Sequence, residues 1–167
     1  MHRIVIAVTA LVCVILLPLL FVPLHVLQIK ALRGDTVLYV ERAQPGFRFS
    51  LGFMHSVEHC PVWDHLKVDD DYRMVTYATE FWSSRTGLPY AAFGDETFRV
   101  EGDHFIIENM HRVIPAINQW VDARYDNTIR FGDGREIKLA SLAGDALLVI
   151  TIEPVCLGYY IYHKALH

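Results

Sequence analysis

The chain has 167 residues, enough for one domain and one further segment. From Gly34 onward it carries 12 Lys and Arg against 19 Asp and Glu, a net charge of −7 with histidine neutral. Phosphate backbones and anionic lipid surfaces repel a domain of that charge, which excludes nucleic acid as an expected partner.

The N-terminal segment is free of charge over a long stretch. Residues 4–27 contain no charged side chain, and a helix of this length crosses a hydrocarbon core of about 30 Å. The sequence therefore predicts an N-terminal transmembrane helix in a membrane anchor at residues 1–33, ahead of a domain at residues 34–167. A cleaved signal segment is the alternative, but the run exceeds the ~7 to 15 residues of a signal core and residues 28–33 offer no small-x-small cleavage site. The distribution of Lys and Arg does not settle which side of the membrane the domain occupies.

After Gly34, short runs rich in β-branched and aromatic residues are separated by Gly and Pro turns. The predicted strands cover residues 36–40, 47–53, 62–68, 72–82, 97–101, 104–108, 128–131, 135–139, 146–152 and 155–162, and residues 113–124 are ambiguous between a short helix and other structure. Consecutive strands with short connections favour antiparallel pairing. The sequence thus predicts a mainly β fold, a small antiparallel β-barrel or sandwich, behind the transmembrane helix.

Potential chemistry is concentrated in residues 55–65, HSVEHCPVWDH, which hold three histidines, two carboxylates and a cysteine. His55 and His59 are four residues apart and would share one face of a helix, as in zinc sites. The flanks have strand patterns, however, and in a strand the two would stand about 13 Å apart at ~3.3 Å per residue. We therefore favour a polar bend between strands, fixed by a charge-assisted hydrogen bond between His55 and Glu58. The alternative is a metal site, or a metal-dependent hydrolase, that uses His55, His59 and either Cys60 or His65.

Nucleophilic catalysis has little support in the sequence. Ser56 and Cys60 lie near histidines, but the chain has no G-x-S-x-G elbow and no cysteine-protease signature. We predict no catalytic residue and no cofactor. Cys60 and Cys156 are candidates for a disulfide in an oxidising compartment, and two unrelated buried thiols are the other interpretation.

A family resemblance is carried by the H-S-V-E sequence at residues 55–58, the following Pro61 and Val62, an aromatic strand, and Gly87-Leu88-Pro89. Over residues 36–139 the chain resembles a family of small bacterial and archaeal proteins of unknown function. Their genes often accompany TAXI-type TRAP transporters, tripartite ATP-independent carriers that use an extracytoplasmic solute receptor. The resemblance implies an accessory role and no catalytic one.

These observations predict a non-enzymatic accessory protein of a TRAP transporter, held by a single-pass anchor in the inner (cytoplasmic) membrane with its domain on the extracytoplasmic side. The expected partners are the membrane and the transporter's membrane subunit or solute receptor. The expected ligand or partner surface consists of His55, Ser56, Glu58, Gly87, Leu88 and Pro89. A third interpretation gives the H-S-V-E motif a purely structural role.

Overall fold

The computed structural model of the chain describes residues 17–83 and 91–166, together with Ile6 and Val14. Strands make up 52% of the described residues and pair in antiparallel sheets, which confirms a mainly β fold. The strands are β1 (Pro23–Ala31), β2 (Thr36–Arg42), β3 (Arg48–Met54), β4 (Pro61–Val68), β5 (Met74–Phe81), β6 (Thr97–Glu101), β7 (His104–Glu108), β8 (Arg112–Ile114), β9 (Ile117–Val121), β10 (Thr128–Phe131), β11 (Glu136–Lys138) and β12 (Ala146–Cys156). Two helices described from end to end are α1 (Ala140–Ala143) and α2 (Leu157–Leu166), and residues 6, 14 and 17–19 are also helical.

The strands form two sheets. The small sheet has four strands in the order β2-β1-β12-β9, and the large sheet has eight, in the order β11-β10-β3-β4-β5-β7-β6 with β8 also paired to β5. Among the described residues neither sheet closes on itself, so the barrel named as one of the two expected architectures is not observed.

Both sheets contribute to one hydrophobic core. Leu27 and Ile29 of β1, Phe49 of β3 and Ile150 of β12 are at most 1% exposed and belong to this core. Burying each such side chain contributes about 1.5 to 3 kcal/mol before the entropy of ordering is counted. A second, smaller cluster lies on the large sheet and consists of Val62, Phe81, Ile107 and Met110. Phe53 contacts both clusters.

The prediction that a helix continues to Leu27 is wrong. Residues from Pro23 onward form β1, which pairs with β12 from Pro23↔Cys156 to Ala31↔Leu148 and with β2 on its other side. A central strand buried between two neighbours is as apolar as a membrane helix, so an uncharged run does not distinguish them. Among the described residues no helix is long and apolar enough to cross a membrane. Residues 1–5, 7–13 and 15–16 of the predicted anchor lie outside the described residues.

The C-terminal segment also differs from the prediction. A strand was expected at residues 155–162, but β12 ends at Cys156 and the helix α2 follows. The first amide groups of a helix lack intrahelical acceptors. Here Leu157 N–H donates to the Val22 carbonyl at 2.9 Å and Gly158 N–H donates to the Leu20 carbonyl at 2.8 Å. These two hydrogen bonds to residues 20 and 22 stabilise the start of a helix in a segment whose aromatic composition alone favours a strand.

Residues 17–22 and α2 therefore lie together, and we call the surface that they form the apolar end. His25, near the start of β1, stacks on Tyr72 in the β4–β5 turn at 3.7 Å between ring centroids. That turn is consequently on the side of the apolar end. The β3–β4 loop, residues 55–60, is at the other end of the same strands, about 20 Å away at ~3.3 Å per residue.

Candidate functional site

The loop at residues 55–60 joins β3 to β4 and carries the H-S-V-E motif; we call it the motif loop. His55 N–H donates to the Cys60 carbonyl and His59 N–H donates to the His55 carbonyl, both at 2.9 Å. His59 has a φ of +50°, a left-handed conformation that lets the chain turn back into β4. The motif loop is thus a tight, hydrogen-bonded turn, as the bend interpretation predicts.

The side chain of His55 caps this turn. Its Nδ1 accepts a hydrogen bond from the Glu58 backbone N–H at 3.1 Å, so the neutral ring carries its proton on Nε2 in this arrangement. The expected bond between His55 and the Glu58 carboxylate is not the one observed. The carboxylate instead accepts a hydrogen bond from Ser83 Oγ at 2.9 Å.

The Glu58–Ser83 bond links the motif loop to the segment that follows β5. Gly87, Leu88 and Pro89 belong to that segment but lie outside the described residues. On the far side of the segment, Glu96 Oε1 accepts hydrogen bonds from Nε and Nη2 of Arg112, at 3.0 and 2.7 Å. Both flanks of residues 84–90 are therefore tied to the region of the motif loop and β8.

The tip of the motif loop is open to solvent. Ser56, Val57 and His59 are exposed, and Val57 has 62% of its surface accessible. His55 and Glu58 are half-buried, and Cys60 is 7% exposed. The loop thus presents one apolar side chain between polar ones while its base is held by hydrogen bonds.

A cavity of about 310 Å³ opens beside the base of the motif loop. Its apolar lining includes Phe53, Val62, Phe81 and Met110, and its polar lining includes His55, Asp64, Thr76, Thr79 and Arg112. The cavity lies between the main core and the second cluster, where Phe53 contacts both. Of the predicted surface residues, His55 is the one that lines it among the described residues.

Asp64 is the residue that sequence reasoning missed. Burial raises the pKa of its carboxyl group, and the hydrogen bond from Thr79 and the charges of His65 and Arg112 offset this only in part. Thr79 Oγ1 donates to Asp64 Oδ1 at 2.7 Å. A concave site with apolar walls, convergent polar groups and a carboxyl of shifted pKa has the features of a ligand-binding site.

The outer face of the large sheet carries another polar group of side chains. Ser50 Oγ lies 2.7 Å from His65 Nδ1, and His65 Nε2 lies 3.3 Å from Glu80 Oε1 without hydrogen-bond geometry. The spatial series Ser50, His65 and Glu80 resembles a Ser-His-carboxylate catalytic triad. Acyl transfer, however, also needs hydrogen-bond donors that stabilise the negatively charged oxygen of the intermediate. The backbone around Ser50 is paired with β4 on one side and β10 on the other. Its peptide N–H groups therefore form hydrogen bonds within the sheet and are not directed at a substrate.

The structure does not bring the alternative metal ligands together. His65 is on the outer face of the large sheet with Ser50, whereas His55 lines the cavity on the inner face. Among the described residues no group of three or more His, Cys, Asp or Glu side chains is arranged to hold a metal ion.

The candidate disulfide is not formed. Cys60 and Cys156 are both free thiols. Cys60 belongs to the motif loop beside the large sheet, whereas Cys156 ends β12 in the small sheet and pairs with Pro23 at the apolar end. The fold places Cys60 in the loop beside the large sheet and Cys156 in the small sheet, at opposite ends of the structure, and the sequence positions of the two cysteines do not indicate this separation.

Comparison with known proteins identifies one family. Its model, described as a domain of unknown function (DUF1850), matches residues 49–139. No curated protein and no solved structure matches the chain, and the comparisons give no link to TAXI-type TRAP transporters. The matched range begins in β3 and ends just after β11, so it contains nearly all of the large sheet, the motif loop and the cavity. Because the match covers more than half of the 167 residues, the chain belongs to the DUF1850 family of domains of unknown function.

Proposed function

We propose that this protein is a membrane-associated, non-enzymatic accessory of a solute transporter and that it contacts its partner through the motif loop. The observation that carries this proposal is the conformation of the loop. Its base is held by the bonds of His55 and Glu58, while Val57 at its tip is 62% exposed. A surface that is ordered before binding loses less conformational entropy on association.

The family resemblance carried by residues 55–58 makes a TRAP transporter the first partner to test. Its membrane subunit and its solute receptor are the two candidate binding partners. The domain then lies on the extracytoplasmic side of the cytoplasmic membrane, where a solute receptor operates.

The apolar end supports the membrane association in this proposal. Phe21 is 74% exposed and Tyr162 of α2 is 62% exposed, and Leu17, Ile161 and Leu166 are exposed beside them. Contiguous exposed apolar surface is characteristic of membrane or protein contact sites. With the apolar end on the bilayer, the motif loop at the opposite end of the large sheet points away from the lipid.

The decisive experiment is co-purification from detergent-solubilised membranes with the tagged full-length chain. Val57→Asp places a charge at the tip of the motif loop and should abolish recovery of the transporter subunit. Val100→Asp is the matched control because Val100 is 57% exposed on β6, three strands along the sheet from β4 and outside the loop, and this variant should recover the partner normally.

A double variant tests whether the order of the loop matters. His55→Ala with Glu58→Ala removes the His55 acceptor and the Ser83 contact and should weaken recovery while the circular dichroism spectrum stays unchanged. Undiminished recovery with both Val57→Asp and the double variant would show that the contact lies elsewhere. Wild-type protein that recovers no membrane protein at all would rule out the accessory role.

A further inference from the structure

Two groups of opposite charge face the cavity without pairing with each other. Arg112 directs Nε and Nη2 to Glu96, and Asp64 Oδ1 accepts its hydrogen bond from Thr79. Among the described residues no ion pair joins Asp64 to Arg112, and neither Asp64 Oδ2 nor Arg112 Nη1 has a hydrogen-bond partner. The cavity therefore offers a free acceptor and a free donor to anything that enters it.

The size and the walls of the cavity restrict the ligand. A volume of about 310 Å³ is at the small end of the ~300 to 1,000 Å³ that ligand pockets span. Phe53, Val62, Phe81 and Met110 contribute apolar surface. The cavity suits a small molecule with an apolar portion and two polar groups.

The charges around the cavity restrict it further. A ligand with only a positive charge would leave Arg112 Nη1 without an acceptor, and a ligand with only a negative charge would be repelled by Asp64 and by Glu96, which is paired with Arg112. The lining adds His55 from the motif loop and the hydroxyl groups of Thr76 and Thr79 from β5. A molecule that carries both charges satisfies both sides.

We propose that this cavity binds a small zwitterion, an α-amino acid with an apolar side chain, whose ammonium group contacts Asp64 and whose carboxylate contacts Arg112. This inference rests on the proposed function, which makes the region around His55 a contact site. It adds a ligand for the cavity beside that site. His55 belongs both to the cavity wall and to the motif loop, so an occupied cavity adjoins the proposed partner surface. Burial raises the pKa of Asp64 more than Thr79, His65 and Arg112 lower it, so an ammonium group beside this carboxylate would offset a cost that the protein leaves uncompensated.

Calorimetric titration of the full-length chain in detergent micelles tests this inference. The probes are L-leucine, L-methionine and L-phenylalanine, each compared with the analogue that lacks the amino group and the analogue that lacks the carboxyl group. We expect at least one amino acid to bind ten-fold or more tightly than both of its analogues. If none does, the cavity is not a zwitterion site.

Two substitutions assign the contacts. Asp64→Asn keeps an acceptor for Thr79 but removes the charge, and Arg112→Gln removes the guanidinium; each should weaken binding of the amino acid ten-fold or more. Arg99→Gln is the control, since Arg99 is similarly exposed but pairs with Glu101 and Glu108 on the β6–β7 hairpin. Binding unchanged in both cavity variants would overturn the assignment, and Asp64→Asn keeps the test informative if Arg112→Gln fails to fold.

The same variants separate this inference from the proposed function. Val57 lies outside the cavity lining, so Val57→Asp should lose the partner and keep amino-acid binding. Asp64→Asn should lose amino-acid binding while the motif loop stays intact. Titration and co-purification can therefore fail independently.

Discussion

At the scale of single residues, Asp64 is a carboxyl group on the buried side of a strand. It shares a face of β4 with Val62, Leu66 and Val68, all of which are at most 4% exposed. Removing water from a carboxylate favours its protonated form. Asp64 therefore opposes folding when it is ionised, and a residue with that cost is a candidate for function rather than for stability.

We predict that Asp64→Asn stabilises the unliganded fold at pH 7 by on the order of 1 kcal/mol, the usual scale of a single substitution. The folded pKa lies above the ordinary value of 3.8, so the folded state binds more protons than the unfolded state between those two values. Wild-type stability should recover as the pH falls through that interval, and its deficit relative to the variant should shrink. Urea unfolding followed by tryptophan fluorescence at several pH values measures both effects.

The control for this prediction is Asp103→Asn, because Asp103 is 89% exposed in the β6–β7 turn and should respond little. A variant at position 64 that is clearly less stable than wild type at pH 7 would mean that the ionised carboxylate stabilises the fold. In that case the burial of Asp64 would be a structural feature and not the mark of a binding site.

The sequence pattern around Asp64 marks it as unusual. The alternation of residues 62–68 was evident, and a carboxylate with the parity of Val62 and Leu66 is an exception to the pattern. Of the histidines in residues 55–65, only His55 lines the cavity within the described part of the chain. The bend and its capping residue were predictable because they depend on local chemistry, whereas the partner of Glu58, Ser83, is 25 positions away.

At the scale of elements, one buried carboxylate joins three parts of the fold. Glu41 in β2 accepts hydrogen bonds from Tyr39 at 2.8 Å, from Arg135 in the β10–β11 turn at 2.9 Å and from Lys164 in α2 at 3.0 Å. Burial acts to raise the pKa of Glu41, but the bonds from Tyr39, Lys164 and Arg135 outweigh it and the net pKa is lowered. Ionised Glu41 thus holds α2 against the small sheet.

We predict that Glu41→Gln lowers stability at pH 7 by about 1 to 3 kcal/mol, the range for losing hydrogen bonds to a charged group. Because the folded pKa of Glu41 lies below 4.5, its contribution is complete above that value and is lost as the pH falls through the folded pKa. The variant should therefore lose less stability on acidification than wild type does. Thermal unfolding between neutral and acidic pH measures the difference.

Glu136→Gln serves as the comparison, since the Glu136–Arg130 pair is about half exposed and exposed pairs contribute little. If Glu41→Gln and Glu136→Gln have equal effects, the contact of Glu41 with α2 adds no more than an exposed ion pair does.

Strands were predictable wherever two faces of a segment differ in polarity. The predicted runs at residues 36–40, 47–53, 62–68 and 104–108 correspond to β2, β3, β4 and β7. β1 was missed because its first residues, 23–27, continue the uncharged run that begins at residue 4, and α2 was missed because its start depends on carbonyl groups of residues 20 and 22. In both cases the deciding contact comes from the opposite end of the chain.

At the scale of the whole molecule, the two ends of the large sheet differ in character. The apolar end exposes aliphatic and aromatic side chains, and the motif loop exposes polar ones around Val57. α2 adds three tyrosines, residues that favour the boundary between lipid and water.

We predict that a photoreactive phenylalanine analogue at position 161 or 162 of the full-length chain, reconstituted in phosphatidylethanolamine and phosphatidylglycerol vesicles, forms adducts with lipid. The same analogue at position 100 should form none, since Val100 lies on the exposed face of β6 far from the apolar end. Mass spectrometry of the adducts measures the outcome. Cross-linked dimers in place of lipid adducts at 161 and 162 would identify a second copy of the chain as the neighbour of this surface.

The pairing of β1 with β12 has a consequence for the order in which the protein acquires its structure. Gln28 in β1 pairs with Thr151 in β12, 123 positions later. A ribosome adding ~5 to 20 residues per second needs roughly ten seconds to produce the second partner after the first. During that interval β1 has β2 as its neighbour but leaves its other edge open, the state in which strands pair with foreign chains. The small sheet is completed only after β12 has been synthesised, long after β1 and β2, so the appearance of β12 determines when this sheet can form.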